Sequence, residues 1–256
     1  MKGISFQSGI EIRVEIQGEK WSPGDTLLGT LTLSNRSSKP VELSAVRLDL
    51  SRGLERKLKK DAATAFDVGV SVRPQLPGVL EAGASTGELA WTYQLAHDTA
   101  VSDVSGSLFV VYGLGALTTL RLKIEPIEAI REMMLSLSAA FKFKLNHTYS
   151  SKQGYTEFVL SPPDGREFGF VNQLCLFTRS DETDIHLRFE FDVQVVDGAS
   201  PGLKTKVVTK KFERTVMWVD LLHRFNGKLN KDAFESLFQE VLKEFSDRTT
   251  QGAMGE

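Results

Sequence analysis

Two alternating apolar runs, Ile10-Glu11-Ile12-Arg13-Val14-Glu15-Ile16 and Leu27-Leu28-Gly29-Thr30-Leu31-Thr32-Leu33, stand on either side of Trp21-Ser22-Pro23-Gly24-Asp25. An apolar residue at every second position buries one face of an extended chain and leaves the other in water. Between the runs, Pro presets φ for entry to a turn and Gly accepts the positive φ that follows. The unit is strand, Pro-Gly turn, strand. It contains no catalytic group, so the best-defined motif of the chain is architectural.

The rest of the first half continues in short strands: Val41 to Leu43, Val46 to Leu50, Gly87 to Leu95, Ser107 to Tyr112 and Thr118 to Ile124. The alternation slips at Ser44-Ala45, which implies a bulge or a bend between sheets. Leu54 to Lys60 reads as a strand with cations on both faces, and Val68 to Val72 as a short strand within a loop. Short strands with regular turn signals indicate an all-β sandwich. After Glu125-Pro126 the period changes. Ile127, Ile130, Met133, Met134 and Leu137 form a helical stripe, read as a short linker helix. Strands then resume at Phe141 to Leu145, Thr156 to Leu160, Val171 to Thr178, Ile185 to Val195 and Lys204 to Phe212. The chain closes in a helix whose stripe is Phe234, Leu237, Phe238, Val241, Leu242 and Phe245, with Asn230 as its cap.

Composition narrows the function classes. The 256 residues carry 31 Lys and Arg against 33 Asp and Glu, a formal net charge of -2. That balance gives no general attraction to nucleic acid or to an anionic membrane. The one cysteine, Cys175, excludes an internal disulfide. Met1 to Phe6 lacks the apolar core of a signal peptide, and no run approaches a membrane span. A soluble, cytoplasmic protein is the expectation.

Ser22-Pro23-Gly24-Asp25-Thr26-Leu27-Leu28-Gly29-Thr30-Leu31 resembles the N-terminal signature of arrestin-fold proteins, and within that superfamily the bacterial sporulation-control (stage-zero sporulation) proteins. Val79 to Gly83 leading into Leu89 to Leu95, Leu122 to Pro126 before a short helix, and Glu157 to Leu160 with Leu187 to Val195 resemble later parts of that family. The resemblance runs in order over residues 8 to 196. Ala96-His97 stands where the family has a proline, and Glu125-Pro126 where it has Asp-Pro. The resemblance implies two arrestin-like β-sandwich domains, residues 1–125 and 141–256, joined by a helical linker at 126–140. It also implies a non-enzymatic bacterial adaptor or regulatory protein. Such a protein binds other proteins through sheet edges and the inter-domain surface, with no cofactor and no small-molecule substrate.

Two segments are candidate interaction sites. Arg52, Arg56, Lys57, Lys59 and Lys60 concentrate cations that suit an anionic ligand or partner. With Lys204 to Lys211 they also support an alternative, a peripheral module on anionic lipid. The terminal helix stripe is the second candidate, either packed on its own domain or presented to a partner. The remaining chemistry-bearing residues form no recognisable set. His97, His147, His186 and His223 lack ligand spacing. Asp181, Glu182 and Asp184 lack the calcium-loop pattern and read as a hairpin turn. Gly113-Leu114-Gly115 has no phosphate-binding helix after it. Cys175 reads as a small core hydrophobe.

Overall fold

The computed structural model describes residues 1–58, 65–67, 69–103, 106–150, 154–165, 168–197 and 204–253. The chain divides into two units, Met1–Glu125 and Pro126–Glu256.

In the first unit, β1 (Lys2–Gln7), β2 (Ile10–Ile16), β3 (Thr26–Asn35) and β8 (Leu89–Gln94) form one antiparallel sheet in the order β1-β2-β3-β8. The short pair β4 (Val41–Glu42) and β7 (Val79–Leu80) stands apart. A second sheet has the order β10-β9-β5-β6, from β5 (Val46–Leu54), β6 (Val70–Ser71), β9 (Gly106–Leu114) and β10 (Thr118–Arg121). The slip at Ser44-Ala45 is thus a bend that carries the chain from one sheet to another. Alternation does the building. Ile10, Ile12, Val14, Leu27, Leu31 and Leu33 of the first sheet are fully buried and cluster with Val46, Leu48, Val110 and Tyr112 of the second. This is a sandwich core filled from two inner faces.

The Pro-Gly turn closes this core at one corner. The Asp25 N–H donates to the Ser22 carbonyl at 3.0 Å, and Gly24 takes φ +88°. Positive φ at the third turn position is the type II requirement that Gly meets without strain. The Asp25 carboxylate accepts the Ser22 N–H at 2.6 Å. Trp21, buried, bridges to Ile124: its N–H donates to the Lys123 carbonyl and its carbonyl accepts from Glu125. The turn therefore ties the start of the sandwich to its last segment.

β1 does not announce itself in the sequence. Its Ile4 and Phe6 point to solvent, 53% and 70% exposed, while Gly3, Ser5 and Gln7 face inward. The Gln7 side chain accepts the Leu114 N–H at 2.7 Å, which fixes β1 beside β9. Ser8 and Gly9, both at positive φ, make the two-residue turn into β2.

In the second unit, β11 (Lys144–Ser150), β12 (Thr156–Ser161), β13 (Val171–Ser180), β14 (Asp184–Asp197) and β15 (Lys204–Met217) form one antiparallel sheet in sequence order. The layer that covers its apolar face is helical. α2 (Glu128–Ala139) and α4 (Lys231–Ala253) supply it, with a single turn α3 (Trp218–Leu221) between β15 and α4. Leu176, Phe189 and Phe212 sit opposite one another across three strands. Against them pack Phe238, 5.5 Å from Phe189, and Phe245, stacked 4.4 Å from Phe191. The helix at 126–140, expected as a linker, is instead part of this core. Ile130, Met133, Met134 and Leu137 are buried in it. Ser136 donates to Glu235 at 2.5 Å, and Glu132 accepts the Leu229 N–H at 2.9 Å. An amphipathic stripe must be covered, and the apolar sheet beside it provides the cover.

Candidate functional site

The cation-rich segment departs from its expected form. β5 ends at Leu54, and the chain then turns through α1 (Glu55–Leu58) instead of continuing as a strand. Arg52 is half-buried on β5, and Lys57 on α1 is exposed. Arg56 lies on the same helical turn; its side chain, and Lys59 and Lys60 altogether, lie outside the described residues. The described part of this segment therefore brings Arg52 and Lys57 onto adjoining elements and assembles no cation cluster by itself.

The terminal helix has a definite placement. Asn230 caps it: its side-chain oxygen accepts the Ala233 N–H at 3.3 Å and its carbonyl the Phe234 N–H at 3.1 Å. Phe234, Phe238 and Val241 are fully buried, Phe245 is nearly so, and Leu237 and Leu242 pack at the margin of the same cluster. Phe238 meets Phe141 and Phe143 edge-on at 4.7 and 5.8 Å. The stripe packs within its own unit, with Leu237 and Leu242 left partly exposed at its margin.

The histidines do not converge. His97 lies against the Gly24 turn, His147 on β11 near Tyr149, His186 on β14 bonded to Thr215 at 3.0 Å, and His223 in the exposed turn before α4. The Asp181 carboxylate accepts the N–H groups of Thr183 and Asp184 at 2.9 and 2.8 Å, which holds it below the ordinary carboxylate range. Those acids shape the β13–β14 hairpin. Gly113 to Gly115 joins β9 to β10, where a Cβ on Gly113 would strike the Ala116 carbonyl. Among the described residues no group of three or more His, Cys, Asp or Glu side chains is placed to hold a metal ion.

Cys175 sits on the face of β13 that points away from the helices, opposite Val159 and Glu190. Burial, with Glu157 and Asp192 nearby, pushes its thiol up to about 12, so it stays protonated at neutral pH. Around it runs a network that links strands by charge. Glu190 is paired with Arg188 at 3.0 Å and Lys211 at 2.9 Å, and Arg188 lies 4.2 Å over the Phe177 ring. A recess of about 290 Å³ in the first unit is lined by Met1, Lys2, Glu15, Ile16, Gln17, Gly29, Thr30 and Glu88. Within it Lys2 is paired with Glu15 at 2.9 Å.

Among the described residues the exposed apolar side chains include Ile4 and Phe6 on β1, Leu135 on α2, Val207 on β15, Val219 on α3, and Phe225, fully exposed at the tip of its turn. This chain shares the fold of Spo0M. The crystal structure of that sporulation control protein from Bacillus subtilis matches with a TM-score of 0.60 at 14% sequence identity, covering 93% of this chain and 100% of Spo0M. The mainly β architecture is therefore shared along almost the whole chain, at the level of fold. No protein-family model and no curated protein matches the chain. Among the described residues, no helix is long and apolar enough to cross a membrane.

Proposed function

We propose that the chain is a non-enzymatic regulatory protein of the bacterial cytoplasm that acts by binding other proteins through its sheet edges. The observation that carries this reading is the fold shared over 93% of the chain with a sporulation control protein. Two physical features support it. Three titratable side chains are taken up in structure: Asp181 on a hairpin, Glu190 on two cations, Cys175 beneath a charged sheet face. The outer strands, by contrast, carry backbone donors and acceptors suited to strand addition.

The test uses the full chain as bait in extract of its native cell, followed by reconstitution with purified components. A specific protein that forms a complex with the purified chain is the expected result. Turnover of a metabolite by the purified chain, with no specific protein recovered, would overturn the reading.

A further inference from the structure

β15 is the longest outer strand of the described structure. It spans 14 residues, against 6 in β1, 6 in β8 and 7 in β11. β14 pairs with it along its whole length, and among the described residues no strand lies on its other side. An outer antiparallel strand leaves the N–H and C=O groups of alternate residues unpaired.

Its charge is one-sided. Lys204, Lys206, Lys210, Lys211 and Arg214 stand on it with a single acid, Glu213. Lys211 is already paired with Glu190 and Arg214 with Glu244. Lys206 and Lys210 have no ion-pair partner among the described residues. Both share the face of β15 that carries Val208 and the buried Phe212. On the opposite face Val207 is 58% exposed.

Lysines on an edge oppose indiscriminate strand addition, because a neutral or basic newcomer gains nothing from them or is repelled. A second β15 would lay one lysine-rich strand along another, and like charges across strands are destabilising. A strand with carboxylates spaced to meet Lys206 and Lys210 gains two cross-strand ion pairs and completes the ladder. Given the protein-binding function proposed above, on which this step rests, we propose that the β15 edge from Thr205 to Met217 docks an extended acidic segment of a partner protein as an added antiparallel or parallel strand. Acids at two positions four residues apart on one face meet the lysines. β-Branched residues at alternate positions lie beside Val207 and Thr209.

The probe is a labelled peptide of alternating Glu and Val, titrated into the full chain at low and high salt, with hydrogen exchange read along the chain. Binding weakens as salt rises, because the pairs are exposed. New protection falls within residues 205 to 217. Lys206→Glu combined with Lys210→Glu lowers affinity by about tenfold or more. Lys206→Gln with Lys210→Gln gives an intermediate loss, and unchanged circular dichroism establishes that both variants fold. Equal affinity for the charge-reversed variant, protection elsewhere, or no binding of the peptide would overturn the proposal. So would self-association through β15, or anionic vesicles protecting the strand where the peptide does not. If the partner captured from the native cell binds the double variant as well as the wild type, the edge assignment fails and the protein-binding reading survives. If the peptide binds as expected but the cell supplies no partner, the edge stands and that reading falls.

Discussion

In the N-terminal unit, the sheet that carries Ile12 and Leu31 is covered by a second sheet. In the C-terminal unit, the sheet that carries Leu176 and Phe189 is covered by α2 and α4. The side chains differ accordingly. The sandwich core is filled mostly by Ile, Leu and Val with two tryptophans at its margin, whereas the helix-covered core holds Phe143, Phe158, Phe189, Phe191, Phe212, Phe234, Phe238 and Phe245. Facing sheets interdigitate short β-branched side chains across about 10 Å. A helix presents fewer, longer side chains on a curved surface, and edge-on rings fill the space between it and the strands. The consequence is functional. The apolar stripes of α2 and α4 pack into the core of the second unit, and the proposed binding surface is sought along its outer strands.

The largest test of this contrast is Phe238→Ala. Its ring touches Phe141, Phe143 and Phe189 and is fully buried, so the variant should lose about 3–5 kcal/mol. Denaturant unfolding followed by hydrogen exchange should place that loss in residues 126–256. An equal loss in the sandwich would contradict the division into units. Gly29→Ala probes the other kind of core. A Cβ there would lie 2.3 Å from the Trp91 ring and 2.7 Å from the Glu15 carbonyl. Overpacking of this kind costs about 1–3 kcal/mol, read as an earlier unfolding midpoint with an unchanged denaturant slope. A neutral result would mean that the Trp91 ring, on the neighbouring strand of the same sheet, gives way to the added methyl.

The smallest effect is on pH dependence. Glu11 is held below its ordinary 4.5 by hydrogen bonds from Arg36, then by Arg13. A carboxyl with a depressed folded pKa contributes stability that is present above 4.5 and is lost as pH falls through the folded value. Glu244, held down by Arg214, does the same for the second unit. Glu11→Gln should flatten the acid side of the stability profile of the sandwich alone, and Glu244→Gln that of the helix-covered unit alone. Thermal melts across the acid range, resolved by unit, would show whether each substitution stays local.

The sequence makes some of this architecture legible and hides the rest for physical reasons. β2, β3 and β14 show in their alternation because each has one wet and one dry face. α4 shows in its stripe and its Asn230 cap. β1 is hidden because Ile4 and Phe6 face water while Gly3 and Ser5 face the neighbouring sheet, the reverse of the usual pattern. α2 is visible as a helix, but an apolar stripe does not say what covers it, so its place in a core could not be read. Arg52 to Lys60 looked continuous because charge alone does not distinguish a strand from a helical turn. β15 is legible as a basic strand over Lys204 to Phe212, but not as an edge. Its standing as a long outer strand depends on pairing order, which no local pattern encodes.

Native-state hydrogen exchange of α4 tests the central division most directly. If its stripe is part of the second unit's core, the amides from Phe234 to Phe245 should exchange as slowly as those of β13 and β14, through the same cooperative opening. Exchange of α4 orders of magnitude faster than the sheet, with the strands still protected, would show the helix to be free and would return its phenylalanines to the list of partner-binding surfaces.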